Sequence, residues 1–165
     1  MDATETTKTR KLLLINNKIT SYDILVQCAN NDTIVYTYDD TTPAKTIVAG
    51  LLSHEGVYAN TFDNIGWVFH GFQGNKLHLA GDMDLLLDDL EKGNIETVCT
   101  SLLKPLQHLF PKTNDSPRLD LLACCLAQNQ SIFSQISGII LNTTNITIAA
   151  SSDLTGNITG SNWML

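Results

Sequence analysis

Two runs in this chain end on side chains that can do chemistry. Gly66-Trp67-Val68-Phe69 leads into His70-Gly71, and Leu119-Asp120-Leu121-Leu122-Ala123 leads into Cys124-Cys125. A thiol beside an imidazole is the smallest apparatus for nucleophilic catalysis: the thiolate attacks and the imidazole carries the proton. Both runs have the apolar, β-rich character of buried strands. Parallel strands of one sheet end at one edge, so His70 and Cys124 emerge together where open sheets place their ligands. Gly71 permits a tight turn there and leaves backbone N–H groups to bind an oxyanion. Each residue alone has a plainer role. A histidine at a strand end is commonly structural, and a cysteine in an apolar run is commonly core. Their joint placement favours a dyad. Cys125 competes for the nucleophile's role, but strand alternation sends neighbours to opposite faces, so only one of the two thiols faces His70.

The other candidates are weaker. His54 follows a helical stripe and reads as a helix C-terminal cation, with Gly56 as the stop. His78 alternates with Leu77 and Leu79 and should point outward from a short strand. His108 should lie on the surface of a long helix. Asp39 and Asp40 close a strand at the dyad's edge of the sheet, where one could orient the histidine or hold a basic substrate side chain, but they read better as turn residues. Asp153, in Ala150-Ser151-Ser152-Asp153-Leu154-Thr155-Gly156, follows the last strand and lies at the dyad's edge of the sheet. It is balanced between a turn residue and a substrate-binding group that holds a basic side chain. The glycines of Gly71–Gly74 and Gly156–Gly160 lack the spacing and lysine of a phosphate cradle, which disfavours a nucleotide-binding domain. Cys28, Cys99, Cys124 and Cys125 match no zinc spacing and are too few for a disulfide scaffold. Reduced thiols, no metal and no cofactor are the expectation.

These residues need a scaffold, and strands alternate with helices as in an α/β domain with a largely parallel sheet. Lys11–Ile15, Thr33–Tyr38, Gly66–Phe69, Leu119–Ala123 and Thr147–Ala150 read as its strands. Helices are expected over Ser21–Ala29, with Ile24, Leu25 and Cys28 on one face and Thr20 or Ser21 as cap, and from Thr42-Pro43 onward, where proline opens the first turn. Lys76–Leu79 reads as a hairpin-like piece and Asp84–Lys92 as a short acidic helix. Glu96–Phe110 is a longer helix that Pro105 should kink or split. Gln130–Leu141 has the clearest amphipathic spacing, through Ile132, Phe133, Ile136, Ile139 and Ile140. Asn162–Leu165 would be a short terminal strand.

The bulk properties narrow the function classes. At 165 residues with 43% hydrophobic residues, one domain over residues 11–165 behind a disordered tail, residues 1–10, is expected. A net charge of -7 offers no basic patch to neutralise phosphates, so nucleic acid is not the partner. No run reaches the length of a membrane span and the first residues form no apolar leader, so a soluble, cytoplasmic location is expected. The oligomeric state is left open.

The carboxyl-terminal segment Ala149-Ala150-Ser151-Ser152-Asp153-Leu154-Thr155-Gly156-Asn157, with Gly160-Ser161-Asn162-Trp163, resembles the ending of an uncharacterised bacterial domain, DUF4347. That domain usually stands near the start of large repeat-containing surface proteins. Phe69-His70-Gly71 with Gly74 resembles its serine-histidine-glycine element, and Leu121-Leu122-Ala123-Cys124 its leucine-tyrosine-glycine-cysteine element. The family is in turn similar to caspase-like cysteine peptidases. The resemblance implies a three-layer caspase-like sandwich of about five mainly parallel strands, helices on both faces, and strand order 2-1-3-4-5. It also implies His70 as general base and acid, Cys124 rather than Cys125 as nucleophile, Gly71 N–H in the oxyanion hole, and a polypeptide substrate or protein partner. Three departures stand out: Phe69 in place of serine, Ala123 in place of glycine, and Cys125 where caspases carry a basic or polar residue. The chain looks like a stand-alone version of the domain. An inactive binding or structural module with the same fold is the alternative function.

Overall fold

The computed structural model describes residues 10–73, 76–86, 94–115 and 117–152. Five parallel strands form its centre: β1 (Lys11–Asn16), β2 (Thr33–Tyr38), β3 (Asn64–Val68), β6 (Arg118–Leu122) and β7 (Thr147–Ala150). Their order is β2-β1-β3-β6-β7, the order implied by the resemblance. A two-stranded antiparallel ribbon, β4 (Lys76–Ala80) and β5 (Met83–Leu86), is inserted between β3 and β6. The protein is an α/β sandwich around a parallel sheet.

The strand order determines where the helices go. The step from β1 to β2 runs one way across the sheet; every later crossover runs the other way. Right-handed crossovers therefore put α1 (Tyr22–Cys28) on one face and α2 (Ala44–Leu52) and α5 (Gln130–Thr144) on the other. The second face holds the main core. Leu12 and Leu14 of β1 and Ile65 and Trp67 of β3 alternate inward, and Ile47, Leu51, Ile136 and Ile140 meet them from the helices. Tyr38 accepts a hydrogen bond from the Trp67 indole at 2.8 Å, which satisfies two polar groups inside this layer. Burial pushes the Tyr38 phenol well above its ordinary range.

Several elements differ from expectation. The helix α1 buries none of its residues: Ile24 is 49% exposed and Cys28 is exposed. Its Ser21 cap sits in the left-handed region and makes no side-chain cap bond. Asp84–Leu86 belongs to β5, not to a helix; residues 87–93 lie outside the described residues. Alternation decides this, since Met83 and Leu85 face the core while Asp84 crosses to His78 Nδ1 at 2.6 Å and Lys76 Nζ at 3.1 Å. The ribbon's turn is docked on α2: Asp82 accepts the Ala44 N–H at 2.7 Å and so caps that helix from outside. Pro43 precedes α2 rather than opening it.

Pro105 does split the long helix. α3 (Asn94–Val98) passes into a π-helical turn (Cys99–Leu103) and then α4 (Lys104–Gln107). Proline has no N–H to donate and crowds the carbonyl four residues back, and the wider turn before it takes up both defects. α5 runs to Thr144, beyond the expected Leu141, and stops where Asn145 turns left-handed. The expected tail before Arg10 and the strand at Asn162–Leu165 lie outside the described residues.

Candidate functional site

β3 and β6 are hydrogen-bonded neighbours with Val68 opposite Leu122. Both strands end there. The next residues, Phe69 and Ala123, are still buried. Beyond the paired strands His70 and Cys124 come to one place: both line the same pocket, and Gly71, next to His70, packs against the Cys124 backbone. His70 is exposed, while Cys124 and Cys125 are half-buried. They share the rim of an open pocket of about 550 Å³ with Gly71, Phe72, Gln73, Leu126, Gln128, Asn129 and Ile132.

Gly71 brings the two segments together. A Cβ at this position would lie inside van der Waals distance of the Cys124 carbonyl oxygen, with the Cys124 N at 3.3 Å. Gly71 does not adopt a left-handed conformation. Glycine is needed here for close backbone approach, not for the tight turn expected from the sequence.

The imidazole is oriented by a backbone group that the sequence does not advertise. His70 Nε2 lies 3.3 Å from the Lys18 carbonyl oxygen. A carbonyl only accepts, so Nε2 carries the proton and donates. In the neutral ring Nδ1 is then the basic nitrogen. Lys18 belongs to the loop after β1, and strand order reverses between β1 and β3. This is the topological switch point, where diverging loops open a crevice at the carboxyl ends of the strands.

That loop is held from below. Asn16 ends β1 and is 1% exposed. Its side-chain carbonyl accepts the Lys18 N–H at 2.8 Å and its amide donates to Asp40 at 2.8 Å. Asn17 N–H donates to the Tyr38 carbonyl at 2.8 Å. Asp39 is a turn residue, accepting both the N–H and hydroxyl of Thr41. The Lys18 ammonium beside it, helped by Thr41, holds its carboxyl well below the usual carboxylate range. Because Lys18 is exposed and Asp39 only half-buried, their 2.8 Å ion pair contributes little stability. Asn16 carries the brace. Replacing it with alanine should lower the unfolding free energy by about 2–3 kcal/mol, read by urea denaturation, since one buried acceptor and one donor are lost.

The cysteine turn corrects the alternation argument. β6 ends at Leu122, so Cys124 and Cys125 lie in a turn and both line the pocket. Cys125 is left-handed, φ 57°, an uncommon state for a residue with a side chain. Its carbonyl accepts the Gln128 N–H at 3.2 Å, and Ala127 N–H donates to the Ser151 carbonyl at 2.9 Å, which pins the turn against the end of β7. Asn129 then caps α5 by accepting the Ile132 N–H at 3.2 Å.

The remaining candidates lie elsewhere. His54 stands two residues past the end of α2, edge-on to Tyr36 with ring centroids 5.5 Å apart. The helix stops at Leu52, before Gly56. His78 is half-buried and bonded to Asp84, and His108 is exposed. Cys99 is fully buried, and burial pushes its thiol up to about 11. Among the described residues no cluster of three or more His, Cys, Asp or Glu could hold a metal ion, and no helix is long and apolar enough to cross a membrane.

The family model for a domain of unknown function, DUF4347, matches residues 12–165. The chain belongs to the DUF4347 family. The match takes in both strand ends of the pocket and the Asp153-Leu154-Thr155-Gly156 motif. No curated protein and no solved structure matches the chain. In this DUF4347 domain, therefore, chemistry has to be argued from the pocket itself. Asp153, expected at the same sheet edge as a substrate-binding group, lies outside the described residues. Of the brace, Asn16 and Lys18 were not foreseen as part of the site, and Asp40 was expected at this sheet edge but read as a turn residue. The brace's only trace in the DUF4347 sequence is an asparagine placed directly after an apolar run.

Proposed function

We propose that this domain is a caspase-like cysteine peptidase-type domain that cleaves a peptide bond through a Cys124 thioester. The observation that carries the proposal is that His70 and Cys124 follow the ends of two adjacent strands and line one pocket, with His70 Nε2 tied to the Lys18 carbonyl. That hydrogen bond leaves Nδ1 to take the thiol proton. The Cys124 sulfur attacks the substrate carbonyl carbon, and the developing oxyanion is met by the Gly71 N–H at the narrow gap between the strand ends. The protonated His70 then gives its proton to the leaving amine as the carbon–nitrogen bond breaks. Water, deprotonated by the same imidazole, hydrolyses the thioester and restores the thiol. The protein supplies a nucleophile, a base in one fixed tautomer and a backbone donor.

Per-cysteine iodoacetamide labelling of the native protein, read by mass spectrometry near neutral pH, tests the proposal. Cys124 should react about 10-fold or more faster than exposed Cys28. Cys99 should stay unlabelled, because it is buried and its thiol titrates at about 11. A Cys124 no more reactive than Cys28 would leave a binding module with the same fold.

A further inference from the structure

The pocket beside the two strand ends has an uneven lining. Phe72, Leu126 and Ile132 form one wall, and Gln73, Gln128 and Asn129 supply neutral amides around it. Among the described residues, no Asp, Glu, Lys or Arg lines the pocket. Leu126 is 5% exposed, and Phe72 and Ile132 are half-buried and packed against the core. The wall is therefore part of the fold and not a set of loose surface side chains. Phe72 and Leu126 also line an apolar cavity of about 40 Å³ within the core.

We infer that the pocket takes an uncharged, apolar side chain, of leucine or methionine type, on the residue whose carbonyl Cys124 attacks. The inference rests on the peptidase proposal and assigns its substrate class. An apolar side chain on this wall is removed from water against Phe72, Leu126 and Ile132, which favours its binding. A carboxylate or guanidinium placed there loses hydration and meets amides in place of an opposite charge. The amides of Gln73 and Gln128 are exposed and suit the backbone of an extended peptide. Selection for a basic side chain is the competing outcome.

Three peptidyl acyloxymethyl ketones, alike except for Leu, Asp or Arg next to the ketone, test this on the full chain. The sulfur displaces the carboxylate of such a reagent and forms a thioether, so modification of Cys124 is read directly by mass spectrometry. The Leu reagent should modify Cys124 on the order of 100-fold faster than either charged reagent. In Ile132→Asp, whose new carboxylate sits in the first turn of α5 where acids are tolerated, the Leu rate should fall and the Arg rate should rise. If the Arg or Asp reagent is fastest on the unaltered protein, the assignment of an apolar side chain is wrong while the peptidase proposal stands. If no reagent modifies Cys124 faster than Cys28, the peptidase proposal fails and the assignment fails with it.

Discussion

His70→Ala should slow acyl transfer to Cys124 by about 10²–10⁴-fold, the usual contribution of a positioned general base. The measurement is release of p-nitrophenolate from an acetyl-leucine p-nitrophenyl ester. The loss should fall on the rate and not on the fold. His70 is exposed and its imidazole is held by the Lys18 carbonyl at 3.3 Å, so the unfolding free energy should change by about 1 kcal/mol or less. His54→Ala and His108→Ala are the controls. Neither residue lines the pocket, so both should leave the rate unchanged. Equal losses from all three substitutions would show that His70 has no special role.

Gly71→Ala should damage stability and rate together. The new methyl group meets the Cys124 carbonyl oxygen, which is backbone and cannot rotate away. The strand ends must separate, or the His70-Gly71 segment must rise from the sheet. Overpacking of this kind costs about 1–3 kcal/mol, visible as a lower urea midpoint. The rate should fall further than the stability, because a displacement of about 1 Å at a reacting centre can cost about 100-fold. The contrast with His70→Ala matters: one change removes the base and leaves the scaffold, the other keeps the base and moves it. A Gly71→Ala protein with unaltered midpoint and rate would mean that the close approach of the two segments is not needed.

Much of the scaffold could be read from short stretches of chain. Leu12–Ile15, Thr33–Tyr38 and Leu119–Leu122 have the β-rich composition of buried strands, and the Ile132, Ile136, Ile140 spacing marks α5. These signals are local, and burial reinforces them. The strand order came from the resemblance, since local pattern says nothing about which strands pair. The misread elements each depend on a distant partner. Asp84 looks like part of an acidic helix until His78 and Lys76 are seen beside it. α1 has a helical stripe, yet that stripe stays exposed because seven residues cover little of the face opposite the main core.

The site divides in the same way. His70 and Cys124 were visible because side-chain chemistry is written in residue names. The Lys18 carbonyl was not, because every residue has a carbonyl and only the fold aims one at His70. Asn16 and Asp40 are far apart in the chain and meet only when β1 and β2 pair. The competition between the two thiols was framed on strand alternation, which fails because β6 ends at Leu122 and Cys125 turns left-handed. Gly71 was singled out correctly for its position, but close approach and not turn geometry is what requires it.

The central claim is that Cys124 becomes acylated with the help of His70. Its most direct test is to mix the native protein with the acetyl-leucine ester, quench in acid within seconds, and map the acyl mass by peptide. An acetyl-leucyl thioester is expected on Cys124, none on Cys125, Cys28 or Cys99, and none on Cys124 in His70→Ala. An acyl group spread over exposed Cys28 and Cys125, or present on Cys124 to the same extent without His70, would contradict it.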